Sequence, residues 1–258
     1  MNTTLITGAS SGIGEVFARK LAARGRNVLL VARSEEKLIT LCNELGRSNS
    51  IRAQHVTMDL SKPDSPARLF EEAEKRGLTV DMLINNAGFG SFGDFTRLEL
   101  ERELNMIDLN VRSLVDLTYR FLAPMRQSKQ GAIINVASTA GFQAVPFMAT
   151  YAATKAFVLS FSEALWEENR PHGIKVMALC PGVTETNFFE AARGQKPPAR
   201  VSQSPEDVVE TALRGLARGK SHIISGWSNR AMTEAERLAP RDLVTRIAGR
   251  MMRGQYDE

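Results

Sequence analysis

Thr7-Gly8-Ala9-Ser10-Ser11-Gly12-Ile13-Gly14 is the stretch that decides the fold of this 258-residue chain. A short apolar run, 3–7, leads into the stretch, and Val16, Phe17 and Leu21 follow it at helical spacing. Glycines at such a point let the main chain turn sharply between a strand and a helix. The stretch therefore predicts a strand, a tight turn and a helix in direct succession.

The rest of the chain continues this alternation of short apolar runs with segments of helical period. Runs such as 27–32 and 131–137 are apolar on both faces, as strands covered on both sides are. The alternation predicts one doubly wound, Rossmann-type α/β domain over 1–258, with a seven-stranded parallel sheet and helices on both faces. The predicted strands are 3–7, 27–32, 51–58, 81–85, 131–137, 174–180 and 221–225.

Two segments depart from the alternation. Residues 183–204 carry phenylalanine, glycine and proline with little periodicity, which predicts a loop or lid at a binding face. Residues 227–252 predict a C-terminal helical extension of two short helices separated at Pro240. On a helical wheel the second of these has an apolar side and an arginine side. The apolar side consists of Leu243, Val244, Ile247, Ala248 and Met251.

This apolar side has two interpretations. Burial over the substrate cleft or on a partner subunit is the more usual fate of such a face, so we expect the extension to cover the cleft together with 183–204. Contact with an anionic membrane surface is the less favoured alternative, because a basic stripe beside an apolar face suits that surface too.

Composition excludes several classes of protein. The net charge of +4, with cations and anions interspersed, does not predict a nucleic-acid partner. Cys42 and Cys180 are the only two cysteines and the chain has only three histidines, so neither a disulfide framework nor a metal site is expected. The N-terminus shows no signal-peptide pattern, and a reducing, cytoplasmic location is expected.

The glycine-rich turn favours phosphate chemistry. Free helix N–H groups and the helix dipole can meet the charge of a pyrophosphate there, although an ordinary glycine-rich turn remains an alternative. Enzymes that use NAD usually carry an acidic residue about 20 residues further on, to bind the ribose 2′-hydroxyl. Ala32 stands at that place and Arg33 follows it, which favours a 2′-phosphate and therefore NADP(H) over NAD(H). A merely solvated arginine remains the alternative.

Two more strand ends carry residues suited to a ligand cleft. Asp59-Leu60 follows the third predicted strand, and Asn85-Asn86-Ala87-Gly88 ends the fourth. Each could be simple turn chemistry. Because the carboxyl ends of parallel strands meet at one edge, these residues and the glycine turn are expected to outline one cleft.

Ser138, Tyr151 and Lys155 are the candidates for chemistry. Tyr151 and Lys155 are four residues apart and share one face of a helix, where an ammonium group would stabilise a phenolate. Ser138, at the end of the fifth predicted strand, could hydrogen-bond a reacting oxygen beside that phenol. A Tyr-x-x-x-Lys pair alone is a weak signal, since most such pairs are surface contacts.

Taken together, these residues resemble the short-chain dehydrogenase/reductase family, the single-domain group with the Thr-Gly-x-x-x-Gly-x-Gly turn. The similarity spans residue 3 to about 226 in the family's motif order. The matching positions are 7–14, Asp59, 85–88, Asn110, Ser138, Tyr151 with Lys155, and Pro181-Gly182 followed by Thr186.

The resemblance implies a role for each matching residue. Tyr151 would be the general acid/base, and Lys155 would lower the pKa of Tyr151 and bind the nicotinamide ribose. Ser138 would position the carbonyl group of the substrate. Asn110, in a predicted helix 98–127, would hold a water molecule linked to Lys155. Many NADP enzymes of the family carry Lys or Arg at the position of Ser11. Ser11 is neutral, which weakens the predicted preference for NADP. The implied cofactor contacts are Gly8, Ser10, Ser11, Gly12, Ile13, Gly14, Arg33, Asp59, Leu60, Asn86, Ala87, Gly88, Tyr151, Lys155, Pro181, Gly182, Val183 and Thr186.

The implied function is an NADP(H)-dependent oxidoreductase that moves a hydride between nicotinamide and the carbonyl or secondary alcohol of a small, largely apolar substrate, most often by reduction. Apolar substrate contacts are expected from Phe142, Val145, Phe147, Phe188 and Phe189. Alternatives are a non-catalytic NADP-binding sensor or scaffold, a 3-oxoacyl-thioester reductase, and an epimerase or dehydratase that retains its cofactor. The chain continues for about 30 residues past the last strand, unlike fatty-acid reductases of the family, which weakens the thioester alternative.

The resemblance also implies a homodimer or homotetramer. Family members commonly pair two long helices, here about 98–127 and 152–169. Phe157, Phe161, Leu165 and Trp166 offer apolar area on the second helix, although core packing explains them equally well.

Overall fold

The computed structural model describes residues 2–192 and 202–256, and within them lies one seven-stranded, all-parallel sheet. The chain builds outward from β1 to β3, then returns to β4 beside β1 and builds towards the other edge. This is the doubly wound order that the sequence predicts. The strands are β1 (Asn2–Thr7), β2 (Asn27–Ala32), β3 (Ala53–Thr57), β4 (Thr79–Asn85), β5 (Gly131–Val136), β6 (Ile174–Cys180) and β7 (His222–Ile224), in the order β3-β2-β1-β4-β5-β6-β7.

Helices connect successive strands and cover the sheet. Within the described ranges they are α1 (Gly12–Ala22), α2 (Glu35–Asn49), α3 (Ser65–Lys75), α4 (Leu100–Ile107), α5 (Leu114–Ser128), α6 (Ala149–Asn169), α7 (Phe188–Ala191), α8 (Pro205–Ala217), α9 (Trp227–Glu236) and α10 (Arg241–Tyr256). The predicted helix 98–127 is present as α4 and α5, joined by a π-helical segment, Asp108–Ser113.

Apolar residues on both faces of the strands build two cores. On one face α1, α2 and α8 pack over alternate strand residues such as Ile6 and Leu30. On the other face α3 and α5 pack over Leu5 and Leu29. All four of these strand side chains are fully buried. The fully apolar runs are therefore explained, because each strand lies between two helical layers.

The C-terminal extension forms the two predicted helices, α9 and α10, which are separated at Pro240. The predicted common apolar face, however, is divided. Val244 and Ala248 are half-buried, whereas Leu243, Ile247 and Met251 are 49%, 50% and 69% exposed. The helical wheel predicts the helix correctly, but it does not show which part of the apolar side packs against the rest of the protein. No helix in the described ranges has the length and apolar character needed to span a membrane.

Candidate active site

The glycine turn lies between β1 and α1, where the strand order reverses between β1 and β4. Gly8 and Gly12 have φ of +65° and +57°, a region that favours glycine. A Cβ on Gly14 would lie 2.3 Å from the Gly8 carbonyl oxygen and 2.5 Å from Asn86 Nδ2. The turn therefore tolerates no side chain at Gly14, and its close packing brings α1 directly against the strand ends.

This turn fits a dinucleotide pyrophosphate. Ser11 precedes α1 in an extended conformation, and its side chain makes no capping hydrogen bond to the helix. The first-turn N–H groups of α1 thus keep their capacity to bind an anion. Thr186 lies beside the same turn, since a Cβ on Gly12 would be 3.0 Å from Thr186 Cγ2. Of the other residues of the predicted turn, Ser11 is exposed, Ser10 is half-buried and Ile13 packs partly against the core.

Asn86 joins the glycine turn to the end of β4. Its Nδ2 donates to the carbonyl oxygens of Thr7 (2.9 Å) and Gly8 (3.2 Å). The Thr7 hydroxyl in turn accepts from the main-chain N–H groups of Asn86 (3.0 Å) and Ala87 (2.9 Å). The structure thus brings two of the predicted segments together, and it gives Thr7, a motif residue for which the sequence predicted no role, the contacts that join them.

Arg33 and Asp59 meet in a cleft of about 280 Å³ at the ends of β2 and β3, with Ser61 and Lys62 also on its wall. Burial would raise the pKa of Asp59, but hydrogen bonds from Ser61 and the charges of Arg33 and Lys62 outweigh it and lower that pKa. Arg33 is exposed and stands directly after the buried Ala32. The cleft presents three cations, Arg33, Lys62 and Arg102, and three carboxylates, Asp59, Glu99 and Glu101, and the two cations at the ends of β2 and β3 lie beside Asp59 alone.

Leu60 occupies a different place from its neighbour Asp59. Its side chain is 5% exposed and packs in the core beside Val56 and Leu69. Leu60 therefore anchors the loop after β3, and the side chain itself lies away from the cleft.

Ser138 follows β5 and shapes a short turn, Thr139–Gly141. Its Oγ accepts from the Ala140 N–H (3.1 Å), and the Thr139 N–H donates to the Pro181 carbonyl oxygen (2.9 Å). The loop after β5 is thereby tied to the loop after β6. Gly141 packs directly on α6, because a Cβ there would lie 2.7 Å from the Lys155 carbonyl oxygen. These contacts hold Ser138 beside the first two turns of α6.

Tyr151 lies on the first turn of α6 with its side chain 8% exposed. Burial raises the pKa of Tyr151 to about 12, while a hydrogen bond with Ser138 acts in the lowering direction. The phenol is therefore protonated at neutral pH in the protein alone. It can act as a proton donor towards an oxygen that enters beside Ser138.

Lys155, one helical turn after Tyr151, is 6% exposed. Its Nζ donates to the Val136 carbonyl oxygen (2.7 Å) and lies 5.7 Å from the centre of the Tyr151 ring. Burial lowers the pKa of Lys155 to about 8. Burial of the ammonium group near the Tyr151 ring therefore costs desolvation free energy. A lysine with its pKa perturbed in this way is typical of a functional site.

Asn110 lies within the π-helical segment between α4 and α5 and is 1% exposed. Its Nδ2 donates to the Phe89 carbonyl oxygen (3.0 Å) and Thr154 Oγ1 (3.1 Å), and its Oδ1 accepts from the Phe89 N–H (3.2 Å). Gly88 sits between Asn110 and Lys155, since its Cβ would be 2.9 Å from Asn110 Oδ1 and 3.5 Å from Lys155 Nζ. Asn110 therefore faces the site, not solvent, and fixes the loop after β4 against α6.

An apolar wall surrounds the Tyr151 ring. Met106 and Met148 pack with it, and the Phe188 ring centre lies 5.1 Å from the Tyr151 ring centre. Gly90 leaves room for both rings, because a Cβ there would be 2.7 Å from Phe188 Cζ. The partly buried members of this wall are Phe89, Phe92, Ala140, Val145, Phe188 and Met252. Met252 comes from α10, so the C-terminal extension does reach the wall.

The expected substrate contacts are only partly grouped in this way. Val145 and Phe188 belong to the wall around Tyr151. Phe147 packs on Phe92 at a ring distance of 6.3 Å. Phe142 instead packs against the ring of His222 (5.9 Å) in a separate cluster near β7 and is not part of the wall around Tyr151. Residues 193–201 of the predicted 183–204 lid and the Phe189 side chain lie outside the described residues.

The loop after β6 depends on two residues that the sequence did not indicate. Gln203 pairs with it in strand fashion, its N–H donating to the Val183 carbonyl oxygen (2.9 Å) and its carbonyl oxygen accepting from the Glu185 N–H (2.9 Å). Asn229, on α9, fills the space beside Gly182, where a Cβ would be 2.3 Å from Asn229 Nδ2. The loop after β6 is thus held between the Ser138 turn, which contacts the Pro181 carbonyl oxygen, and the C-terminal extension, which packs beside Gly182.

The chemistry open to this arrangement is narrow. An anion-binding turn at the point where the strand order reverses suits a dinucleotide. A buried phenol and lysine beside it suit proton transfer at a carbonyl or alcohol, with a bound cofactor supplying the redox partner. The chain is therefore of the class of nicotinamide-dependent oxidoreductases.

Comparison with known proteins gives the family. The model of the short chain dehydrogenase family matches residues 2–197, and the chain belongs to that family. A short-chain dehydrogenase from Sphingobium yanoikuyae, solved in complex with NADPH, is 33% identical, covers 95% of both chains and superposes with a TM-score of 0.85.

Two curated relatives show the range of related activities. A 7beta-hydroxysteroid dehydrogenase of Mediterraneibacter gnavus is 32% identical over 88% of this chain and 87% of that relative. Very-long-chain 3-oxoacyl-CoA reductase-A of Danio rerio is 31% identical over 97% of this chain and 78% of that relative. The protein is thus an oxidoreductase of a family that binds a nicotinamide cofactor, and its relatives differ in the carbonyl compound on which they act.

Proposed function

We propose that the protein is an NADP(H)-dependent reductase of bulky, apolar ketones, with Tyr151 as the proton donor. The observation that carries this proposal is the buried Tyr151 phenol, which hydrogen-bonds with Ser138, has Lys155 Nζ 5.7 Å from its ring centre and packs in an apolar wall. When bound, the nicotinamide group supplies or accepts the hydride. The chain's own residues orient the carbonyl, exclude water and deliver the proton.

The proposed roles follow from the positions of the side chains. The Ser138 hydroxyl hydrogen-bonds the substrate oxygen and holds it at the phenol, which gives up its proton as the oxygen becomes an alkoxide. The Lys155 charge stabilises the phenolate that this transfer leaves behind. Asn110 fixes the position of the loop after β4 relative to helix α6. Burial raises the pKa of Tyr151 to about 12, so the phenol carries its proton at neutral pH, as a proton donor requires.

The preference for NADP(H) is supported by the cleft at the ends of β2 and β3. Arg33 stands beside the uncharged Ala32, where an acidic side chain would bind a ribose 2′-hydroxyl, and Lys62 adds a second cation. Guanidinium groups bind phosphate oxygens in a paired geometry. The neutral Ser11 at the glycine turn leaves Arg33 as the main determinant of this preference.

Replacement of Arg33 by alanine tests this determinant. We expect the Kd of NADPH to rise about 10- to 100-fold, since hydrogen bonds to a charged group contribute about 1.5–3 kcal/mol. The Kd of NADH should change little, and Arg47→Ala, an exposed arginine on α2, should change neither. Quenching of protein fluorescence measures both constants without turnover. Equal loss of affinity for NADPH and NADH would contradict the assignment.

The substrate class follows from the wall around Tyr151. Its Met and Phe side chains offer apolar area, and the charges placed at its rings are Lys155, 5.7 Å from the Tyr151 ring centre, and Arg102, 5.1 Å from the Phe89 ring centre. The steroid dehydrogenase relative has an activity on a bulky, apolar compound, which supports the same class. A 3-oxoacyl thioester is the second candidate, favoured by the very-long-chain 3-oxoacyl-CoA reductase relative.

NADPH oxidation with matched carbonyl compounds separates these candidates. We expect kcat/KM to be at least about 10-fold higher for alicyclic and aryl ketones than for a short-chain ketone, since each buried methylene contributes about 1 kcal/mol or more. A higher kcat/KM for 3-oxoacyl thioesters than for free ketones would favour the second candidate. NADPH binding without turnover of any carbonyl would favour a sensor or scaffold.

We also propose a homodimer or homotetramer formed through α4, α5 and α6, in a reducing, cytoplasmic compartment. Exposed apolar side chains on these helices support the assembly, among them Leu104, Ile107, Tyr119 and Phe157. Phe161, Leu165 and Trp166 are partly buried in the protein itself. Cys42 and Cys180 are both free and buried, which supports the reducing compartment.

A further inference from the structure

The outer side of α10 carries an apolar stripe. Leu243, Ile247 and Met251 follow one another at intervals of four residues, so they form a row about 12 Å long. Their exposed fractions are 49%, 50% and 69%. On the opposite side of the helix, Met252 packs on the wall around Tyr151, and Gly249 faces Pro146, whose Cγ would be 3.3 Å from a Cβ at that glycine. The helix is therefore held on the protein with its stripe outward.

Arginines border this stripe. Arg246, Arg250 and Arg253 are all exposed and lie next to the stripe at 100° per residue. None of the three forms an ion pair within residues 2–192 and 202–256. The described part of α10 carries four arginines and a single acidic residue, Asp242. The surface thus combines exposed apolar side chains with positive charge that is not paired within the described residues.

We propose that α10 docks the protein on an anionic lipid surface, with Leu243, Ile247 and Met251 entering the interface and the arginines binding lipid phosphates. A helix with this division of charge and apolar area lies in the plane of such an interface, and arginine stems reach from it to the headgroups. Guanidinium groups bind phosphate oxygens in pairs, which matches the headgroup chemistry. This inference goes beyond the proposed function and does not depend on it.

A second copy of the chain is a poorer occupant of the same stripe. A two-fold interface brings the same patch of both copies together, so the arginine border would meet an identical arginine border. Asp242 alone could offset that repulsion from within the described part of α10. An anionic lipid surface satisfies the same charges without any like-charge contact.

Vesicle flotation tests the proposal on the full-length protein. Vesicles of phosphatidylcholine alone are compared with vesicles that also contain anionic phosphatidylglycerol, at low and at raised salt. We expect the protein to float with the anionic vesicles only, and raised salt to release part of it. The Arg246→Gln/Arg250→Gln variant should bind about 10- to 30-fold more weakly, since each arginine contributes roughly fivefold near an anionic surface. The Ile247→Ser/Met251→Ser variant should also lose binding.

Matched variants act as controls. Arg68→Gln/Arg112→Gln removes two exposed charges elsewhere, and Phe95→Ser/Leu100→Ser removes two exposed apolar side chains. Both controls should float like the wild type, and all variants should keep the wild-type unfolding temperature and NADPH affinity. The proposal is wrong if the wild type floats with no vesicles at low salt, or if the controls lose binding equally. A drop in oligomer mass in Ile247→Ser/Met251→Ser, without wild-type vesicle binding, would instead assign the stripe to a second copy.

Discussion

Replacement of Tyr151 by phenylalanine is expected to lower the kcat of carbonyl reduction by about 10²- to 10⁴-fold, the range that a positioned proton donor supplies. The exchange removes only the hydroxyl oxygen, and the Phe ring can keep the contacts of the Tyr151 ring with Phe188 and Met148. The Kd of NADPH should therefore stay within about threefold of the wild-type value. Binding and chemistry are thus expected to separate in this variant.

Steady-state NADPH oxidation, with the Kd measured independently, checks this result. Tyr119→Phe is the matched control, because Tyr119 lies on α5 with 79% of its side chain exposed and should leave kcat unchanged. Retention of more than about a tenth of the wild-type kcat in Tyr151→Phe would assign the proton transfer to another group or to water.

Replacement of Lys155 by methionine is expected to lower activity and raise stability together. Without the ammonium charge beside Tyr151 the phenolate loses its stabilisation, and kcat should fall by about 10²-fold or more. Burial lowers the pKa of Lys155 to about 8 from an ordinary value of 10.5, so at neutral pH the folded state carries a charge that burial disfavours. Methionine has a similar length and no charge to desolvate.

The sign and pH range of the stability effect follow from linkage. Below pH 8 the lysine is charged in both the folded and the unfolded states, so the full desolvation cost opposes folding. Between pH 8 and pH 10.5 the folded lysine loses its proton first, and the cost disappears. The hydrogen bond to the Val136 carbonyl oxygen is lost in the variant, which offsets about 1 kcal/mol. The net gain at pH 7 is thus about 2 kcal/mol, or roughly 4–8 °C in Tm.

Thermal unfolding at pH 7 and at pH 9.5 measures this effect. The excess Tm of Lys155→Met over the wild type should shrink at the higher pH. Lys175→Met makes the same chemical change at an exposed position on β6, and its Tm should follow the wild type at both values. A lower Tm for Lys155→Met at pH 7, together with wild-type activity, would show that Lys155 has a structural role instead.

The sequence predicts well those parts of the fold that depend on local pattern. The runs 27–32 and 174–180 give β2 and β6 with their observed bounds, because a strand covered on both faces leaves an apolar signal that is interrupted only near its start, at Asn27 and Lys175. The glycine turn is equally local, since Gly8 and Gly12 are required by their own main-chain conformation. Edge strand β3 is shorter than the predicted 51–58, as its residues carry a weaker apolar pattern.

Features that depend on distant residues are the ones the sequence does not reveal. The Thr7 hydroxyl binds main-chain groups almost 80 positions away, and Gln203 and Asn229 support the loop after β6 from separate elements. No local spacing signals such contacts. The orientation of α10 is a similar case, since a helical wheel shows an apolar side without showing what covers it. The π-helical turn that aims Asn110 at Phe89 and Thr154 is likewise set by packing.

Transfer of deuterium from NADPH labelled at nicotinamide C4 to a bulky ketone tests the central claim most directly. Mass spectrometry of the product should find one deuterium on the carbinol carbon for each NADPH consumed, and Tyr151→Phe should form this product at less than about a hundredth of the wild-type rate. Binding of NADPH with no consumption and no labelled alcohol from any ketone or thioester would contradict the account and favour a sensor. A substrate isomerised or dehydrated with the cofactor returned unchanged would contradict it as well.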